Sequence, residues 1–189
     1  MAEIGEFLKI RAGQGLLRTL KPVQRGKKGI IRFDKRKYID LSSNDYLGLS
    51  THPKLIEEAK KAVDRSGTSG CASRLMSGDS DLHHKLEAKI ARFKNKEAAL
   101  FFNSGYQANV GIISSLYGKG DCVFLDRLSH ASIIDGVVLS QAKLFRFSHN
   151  DAGHLESMLK QERGKFKNAL IITESIFSRD GDRAPLNER

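Results

Sequence analysis

Three groups of residues in this sequence are of types that act on ligands, and each follows a short apolar run. Asn103, Ser104, Gly105 and Tyr106 come after AALFF, Ser129 and His130 after DCVFLD, and Glu174 and Ser178 after NALIIT. The first group puts small residues at the opening of a helix, where unpaired backbone N–H groups and the helix dipole can hold a phosphate. It has neither the Gly-x4-Gly-Lys-Ser/Thr spacing of a P-loop nor the Gly-x-Gly-x-x-Gly spacing of a dinucleotide fold, so by itself it reads equally as a tight turn. His130 is open between a functional imidazole and a helix cap. Glu174 says more, because a carboxylate straight after a buried strand is costly unless it is exposed, paired or functional. A phosphate donor site, an imidazole and a carboxylate together favour a small phosphorylated cofactor.

These groups share one site only if the elements carrying them place them on one rim. From Ala98 onward, strand patterns (98–102, 121–126, 143–147, 168–173) alternate with helix patterns (104–117, 131–141, 152–161). Such alternation predicts βαβ units, a parallel sheet and helices on its faces. In an open parallel sheet, ligands bind beyond the carboxyl ends of the strands, where all three groups fall. Upstream, apolar spacing predicts a helix from Ile4 to about Leu20, closed by Pro22. A hairpin follows, with strands 30–33 and 38–41 around Asp34–Lys37, then a turn-rich loop and a helix from Pro53 to about Arg65. The Gly/Ser-rich stretch 66–78 leads to a helix opening near Asp79 or Ser80.

The 189 residues, 40% of them apolar, suffice for a sizeable core, and with only 3 Pro no long linker stands out. No apolar run is long enough for a transmembrane span, and the first twenty residues lack the apolar centre of a signal peptide, so the expected location is the cytoplasm. Cys71 and Cys122 stand apart, without zinc-site spacing, and read as reduced thiols; no metal is expected. The formal charge of +10 is concentrated in Arg25, Lys27, Lys28, Arg32, Lys35, Arg36 and Lys37. No aromatic interleaving or nucleic-acid motif accompanies this cluster, which reads as a solvated hairpin face, of use to an anionic substrate rather than a nucleic acid.

Five blocks, SSNDYLGL (42–49), SGTSGCASRLMSG (66–78), FNSGYQAN (102–109), DRLSHASIIDG (126–136) and TESIFSRDGDRAPL (173–186), occur in the order and spacing of the α-oxoamine synthase family. The chain resembles that family from Leu17 onward. The resemblance implies the three-layer fold of type I pyridoxal 5′-phosphate (PLP) enzymes, with residues 1–50 as an N-terminal arm and 51–189 as the first half of a large PLP-binding domain. It implies that His130 stacks on the cofactor ring and takes part in catalysis with Glu174, that Ser104, Gly105 and Tyr106 grip the phosphate, and that Ser178 bonds the ring hydroxyl oxygen. Arg18 and Asn44, together with His130, match positions near the substrates. The bland readings of those first two, a solvated helix residue and a turn cap, stay open.

The implied reaction is a decarboxylative condensation of an amino acid with an acyl thioester. TESIFSRDGDRAPL and FSHND are most similar to family members that join L-alanine to pimeloyl-CoA or a pimeloyl carrier protein, giving 8-amino-7-oxononanoate for biotin. HASIIDGVVLSQAK is equally similar to members that use glycine and acetyl-CoA, and Ser69–Ala72 depart from the usual glycine-rich loop. The resemblance also implies a homodimer. It places the cofactor-bearing lysine and the ring-nitrogen aspartate in segments after Arg189, so the chain alone is expected to be inert. Two other classes compete: an aminotransferase, which should lack the 42–49 and 126–132 blocks, and a stand-alone binding module, which would need a ligand of its own.

Overall fold

The strand pattern at 121–126 has an apolar centre, Cys122–Leu125, between two aspartates, and in the computed structural model Cys122–Asp126 is the central strand of a parallel sheet. The model describes residues 3–26, 29–178 and 180–186, and the chain divides into two units, Met1–Asp79 and Ser80–Arg189.

In the first unit, α1 (Ile4–Gly13) stops well short of Leu20. Gly15 adopts φ +66°, and the Leu16 and Gly15 N–H groups turn back onto the Arg11 and Ala12 carbonyls at 2.8 and 3.0 Å. This glycine-terminated cap satisfies the last carbonyls, so the apolar spacing of Leu16, Leu17 and Leu20 does not extend the helix. Strands β1 (Gln24–Arg25), β2 (Ile30–Phe33) and β3 (Arg36–Ile39) form an antiparallel sheet, of which only the β2–β3 hairpin is legible in the sequence. Asp34 and Lys35 form its two-residue turn with φ +48° and +60°, the twist that suits a tight hairpin. Arg25, Arg32, Lys35, Arg36 and Lys37 are exposed on this sheet; Lys27 and Lys28 lie outside the described residues. A 3₁₀ turn (Leu49–Thr51) precedes α2 (Pro53–Ser66), which starts on Pro53 and ends at Gly67 with φ +74°. In the loop that follows, a Cβ on Gly78 would lie 1.9 Å from the Ala72 carbonyl oxygen, so only glycine fits there.

The second unit opens with α3 (Asp81–Phe93), where the Ser80 N–H donates to His83 Nδ1 at 3.2 Å. The segment 98–102 is not a strand: no strand among the described residues pairs with it, and the Phe101 N–H donates instead to Glu87 Oε1 at 2.8 Å. Strand identity requires a neighbouring ladder as well as an apolar run. Thereafter the alternation holds, through α4 (Gly105–Leu116), β4 (Cys122–Asp126), α5 (Ala131–Ser140), β5 (Lys143–Phe147), α6 (Ala152–Glu162) and β6 (Ala169–Ile172). The three strands are parallel in the order β5-β4-β6.

Because side chains alternate across a strand, β4 feeds two cores. Val123 and Leu125 pack with Ile113 of α4 and with Ile133 and Val137 of α5. Cys122 and Phe124 pack on the other face with Phe145, Phe147, Phe166 and the α6 residues Leu155, Met158 and Leu159. Helices thus cover both faces of the sheet. α4 and α5 approach closely at Gly136, where a Cβ would stand 3.2 Å from the Asn109 carbonyl oxygen.

Candidate functional site

The carboxyl ends of β4, β5 and β6 lead into residues 127–130, 148–151 and 173–186. Since β4 lies between the other two strands, its exit loop neighbours both. Glu174 Oε1 accepts the His130 N–H at 2.6 Å, which ties the end of β6 to the start of α5. This bond caps one of the donors that a helix N-terminus leaves free.

His130 is the N-cap of α5. Its Nδ1 accepts the Ser132 N–H at 3.2 Å and faces Ser132 Oγ at 2.7 Å, while Ser132 Oγ lies 2.9 Å from Asn109 Nδ2 of α4. An Nδ1 that accepts leaves the ring proton on Nε2, so the Ser132 hydroxyl donates to the ring and accepts from Asn109. Ser132 is fully buried whereas His130 is exposed, so the ring is oriented from beneath and open above. Asn109 and Ser132 are functional candidates that motif reading missed. Their only sequence signal was that they are the last residues of NSGYQAN and SHAS.

At the start of α4, Ser104 Oγ accepts the Gln107 N–H at 3.2 Å. The first N–H groups of a helix, here those of Gly105 and Tyr106, have no intrahelical acceptor. A Cβ on Gly105 would meet nothing within 4 Å, and its φ is not positive. Neither packing nor backbone conformation therefore demands glycine there, and the space in front of the helix suits close approach of a ligand. The Tyr106 hydroxyl donates to the Asp135 carboxylate, and this bond, with burial second, raises its pKa above the usual phenol value. The tyrosine side chain is thereby anchored to α5, leaving its backbone N–H as the group free to bind.

Ser178 is exposed, and its hydroxyl makes no hydrogen bond among the described residues. Ser129 Oγ is buried without a partner among the described residues, an orphaned donor one residue from His130. A cavity of about 410 Å³ opens beside Ser104 and Gly105, lined by Leu86, Ile90, Phe101 and Phe102. A second, of about 320 Å³, lies at the strand ends between Asp126, Asn150, Thr173 and Pro185. An open helix N-terminus, an oriented exposed imidazole and an orphaned hydroxyl fit a small phosphorylated group with a flat ring.

Arg18 and Asn44 belong to the first unit. Arg18 is exposed beyond α1 and lines a cleft with Phe7, Leu8 and Arg11. Asn44 is exposed in a bend, and the turn there is capped by Ser43, whose Oγ accepts the Asp45 N–H at 3.1 Å. Cys71 is exposed and Cys122 buried, both as free thiols.

Known proteins place this geometry in a family. The chain is 48% identical over 188 residues to an 8-amino-7-oxononanoate synthase of Geotalea daltonii, a match covering 100% of this chain and 48% of that protein. A solved serine palmitoyltransferase from S. paucimobilis with a bound PLP-myriocin aldimine superposes with TM-score 0.85 and 29% identity, covering 98% of this chain and 47% of that one. An 8-amino-7-oxononanoate synthase from Francisella tularensis superposes with TM-score 0.63 and 36% identity, covering 77% and 39%. The chain spans about half the length of the curated relatives it matches. No described helix is long and apolar enough to cross a membrane. The family model described as aminotransferase class I and II matches residues 36–188, and the chain belongs to that family, with the fold of type I PLP enzymes.

Proposed function

We propose that the protein containing this chain condenses L-alanine with a pimeloyl thioester, on CoA or on a carrier protein, to 8-amino-7-oxononanoate with release of the thiol and carbon dioxide. The observation that carries this reading is the exposed His130 ring, oriented through Ser132 by Asn109 of α4, in a chain 48% identical over 188 residues to a synthase of that name.

PLP, when bound, supplies an electron sink for the amino acid's α-carbon. The residues of this chain would hold and orient it. Gly105 and Tyr106 offer backbone N–H groups to its phosphate, and Ser104 holds the helix start that aims them. His130 presents its ring face, with Asn109 and Ser132 fixing the tilt and the proton on Nε2. That N–H is a donor available to a substrate carboxylate or thioester oxygen. Ser178 would offer its exposed hydroxyl to the cofactor's ring oxygen, and Glu174, which holds the His130 backbone, would act beside the reacting centre. Contacts of Arg18 and Asn44 with the substrates rest on the likeness of their segments to the family. A homodimer in the cytoplasm is the setting we propose.

The test is thiol release. The purified protein with PLP, L-alanine and pimeloyl-CoA should release CoA and form a product of the mass of 8-amino-7-oxononanoate. Amino-group transfer to a keto acid without CoA release would overturn the reading. Faster reaction of glycine with acetyl-CoA would move the substrate assignment to the alternative set by the HASIIDGVVLSQAK block.

A further inference from the structure

A second histidine, in the FSHND run but not among the site residues that the resemblance implies, sits where the three strand ends meet. His149 follows β5; its Nδ1 is 2.9 Å from Asp126 Oδ1 at the end of β4, and its Nε2 is 2.6 Å from Asp182 Oδ2 in the segment after β6. Both ring nitrogens therefore donate, each to a carboxylate. Asp126 is fully buried, and a buried carboxylate is tolerated only with several donors. It has them in the Leu128 N–H at 2.8 Å, the Asn150 N–H at 2.9 Å and His149.

From this anchor the contacts run to the segment that carries Glu174 and Ser178. Asn150 Nδ2 donates to Asp182 Oδ2 at 2.7 Å and to the Arg183 carbonyl at 3.2 Å. Phe177, 2% exposed, stands edge-on to the His149 ring with centroids 4.5 Å apart. The Phe177 N–H donates to the Asp182 carbonyl and the Gly181 N–H to the Phe177 carbonyl, at 3.0 and 2.8 Å. Phe177 is thus tied to Gly181 and Asp182, and this junction next to Ser178 is pinned by His149. At the other end of the segment, Glu174 is held on the His130 N–H.

We propose that His149 is a positioning residue, whose imidazole clamps the 174–186 segment to the ends of β4 and β5 and so keeps Ser178 and Glu174 in place for the cofactor. This proposal rests on the PLP reading above. The ring touches no reacting atom. It acts through Asp182 and Phe177. The charged side chains facing it are Asp126 from β4 and Asp182 from the segment itself, and both favour the doubly protonated ring.

The experiment is hydrogen exchange by mass spectrometry on the purified protein, with PLP titration by visible absorbance as a second readout. His149→Ala should speed exchange of the Phe177 and Gly181 amides by about tenfold or more, with the β4 and β6 amides changed less than about twofold. PLP affinity should fall on the order of tenfold. Asp182→Asn, which keeps the shape of the side chain, should have the same two effects more mildly, and the double variant should be no worse than His149→Ala alone. Unchanged exchange at Phe177 and Gly181 in both variants, or equal acceleration throughout the unit, overturns the clamp. Local loosening with unchanged PLP affinity overturns the positioning role. A parent protein that binds no PLP refutes the functional reading instead, and the exchange pattern still decides the clamp separately.

Discussion

Ser132→Ala removes one oxygen from a fully buried position and leaves the volume of the core almost unchanged, so its effect isolates hydrogen bonding. The lost oxygen bridges Asn109 Nδ2 at 2.9 Å and His130 Nδ1 at 2.7 Å. Two net hydrogen bonds at about 1 kcal/mol each set the scale near 2 kcal/mol. His130 is exposed and Asn109 half-buried, so both partners recover some hydration, and the backbone N–H at 132 still reaches Nδ1 at 3.2 Å. The expected loss is therefore about 1–2 kcal/mol, or about 2–8 °C in Tm. Calorimetry measures it directly, with Ser115→Ala as control. Ser115 is exposed and among the described residues bonds only the Ile112 carbonyl, and surface changes of that kind stay within about 0.5 kcal/mol. PLP titration on the same samples should show weaker binding for Ser132→Ala alone, because the freed imidazole no longer holds one tilt. Equal Tm values for the two variants, or weaker PLP binding by the control, would refute the proposition that Ser132 orients His130.

Phe124→Ala should cost about 3–5 kcal/mol by urea titration, because the ring is fully buried and stacked on Phe145 with centroids 5.1 Å apart. Gly78→Ala should destabilise the first unit by about 1–3 kcal/mol, since the new Cβ would fall 1.9 Å from a backbone oxygen; wild-type exchange rates across residues 70–78 would refute this. His130→Ala should weaken PLP binding, whereas Glu174→Gln should slow turnover while PLP still binds; absorbance titration and thiol release separate the two. The pKa of His149 is raised by its hydrogen bonds to Asp126 and then Asp182, so the folded value exceeds the unfolded one. The stability from this contact is fully present below the unfolded value near 6.5 and is lost as pH rises through the folded value. Unfolding midpoints should fall across that window, and His149→Gln should flatten the curve.

Local chemistry determined much of this protein. The apolar run at 122–125 and the alternation after it dictate a buried parallel strand flanked by helices, because such a run can be satisfied only by burial on both faces. Pro53, Ser80 and Ser104 mark helix starts through their own backbone and side-chain preferences. His130 and Glu174 meet because helix starts and strand exits gather at the carboxyl edge of a parallel sheet. Where sequence reading overran, a local pattern competed with something stronger. The glycine cap at Gly15 stopped α1, and 98–102 found no partner strand among the described residues. Only the tertiary structure decided which distant side chains meet. Asn109 and Ser132 lie 23 positions apart, as do Asp126 and His149, while His149 and Asp182 lie 33 apart. Their pairing depends on the strand order β5-β4-β6 and on the close approach of α4 and α5 at Gly136. Neither is encoded in the propensity of any one segment, because a hydrogen bond between side chains forms only after the packing of apolar faces has set the distance between them.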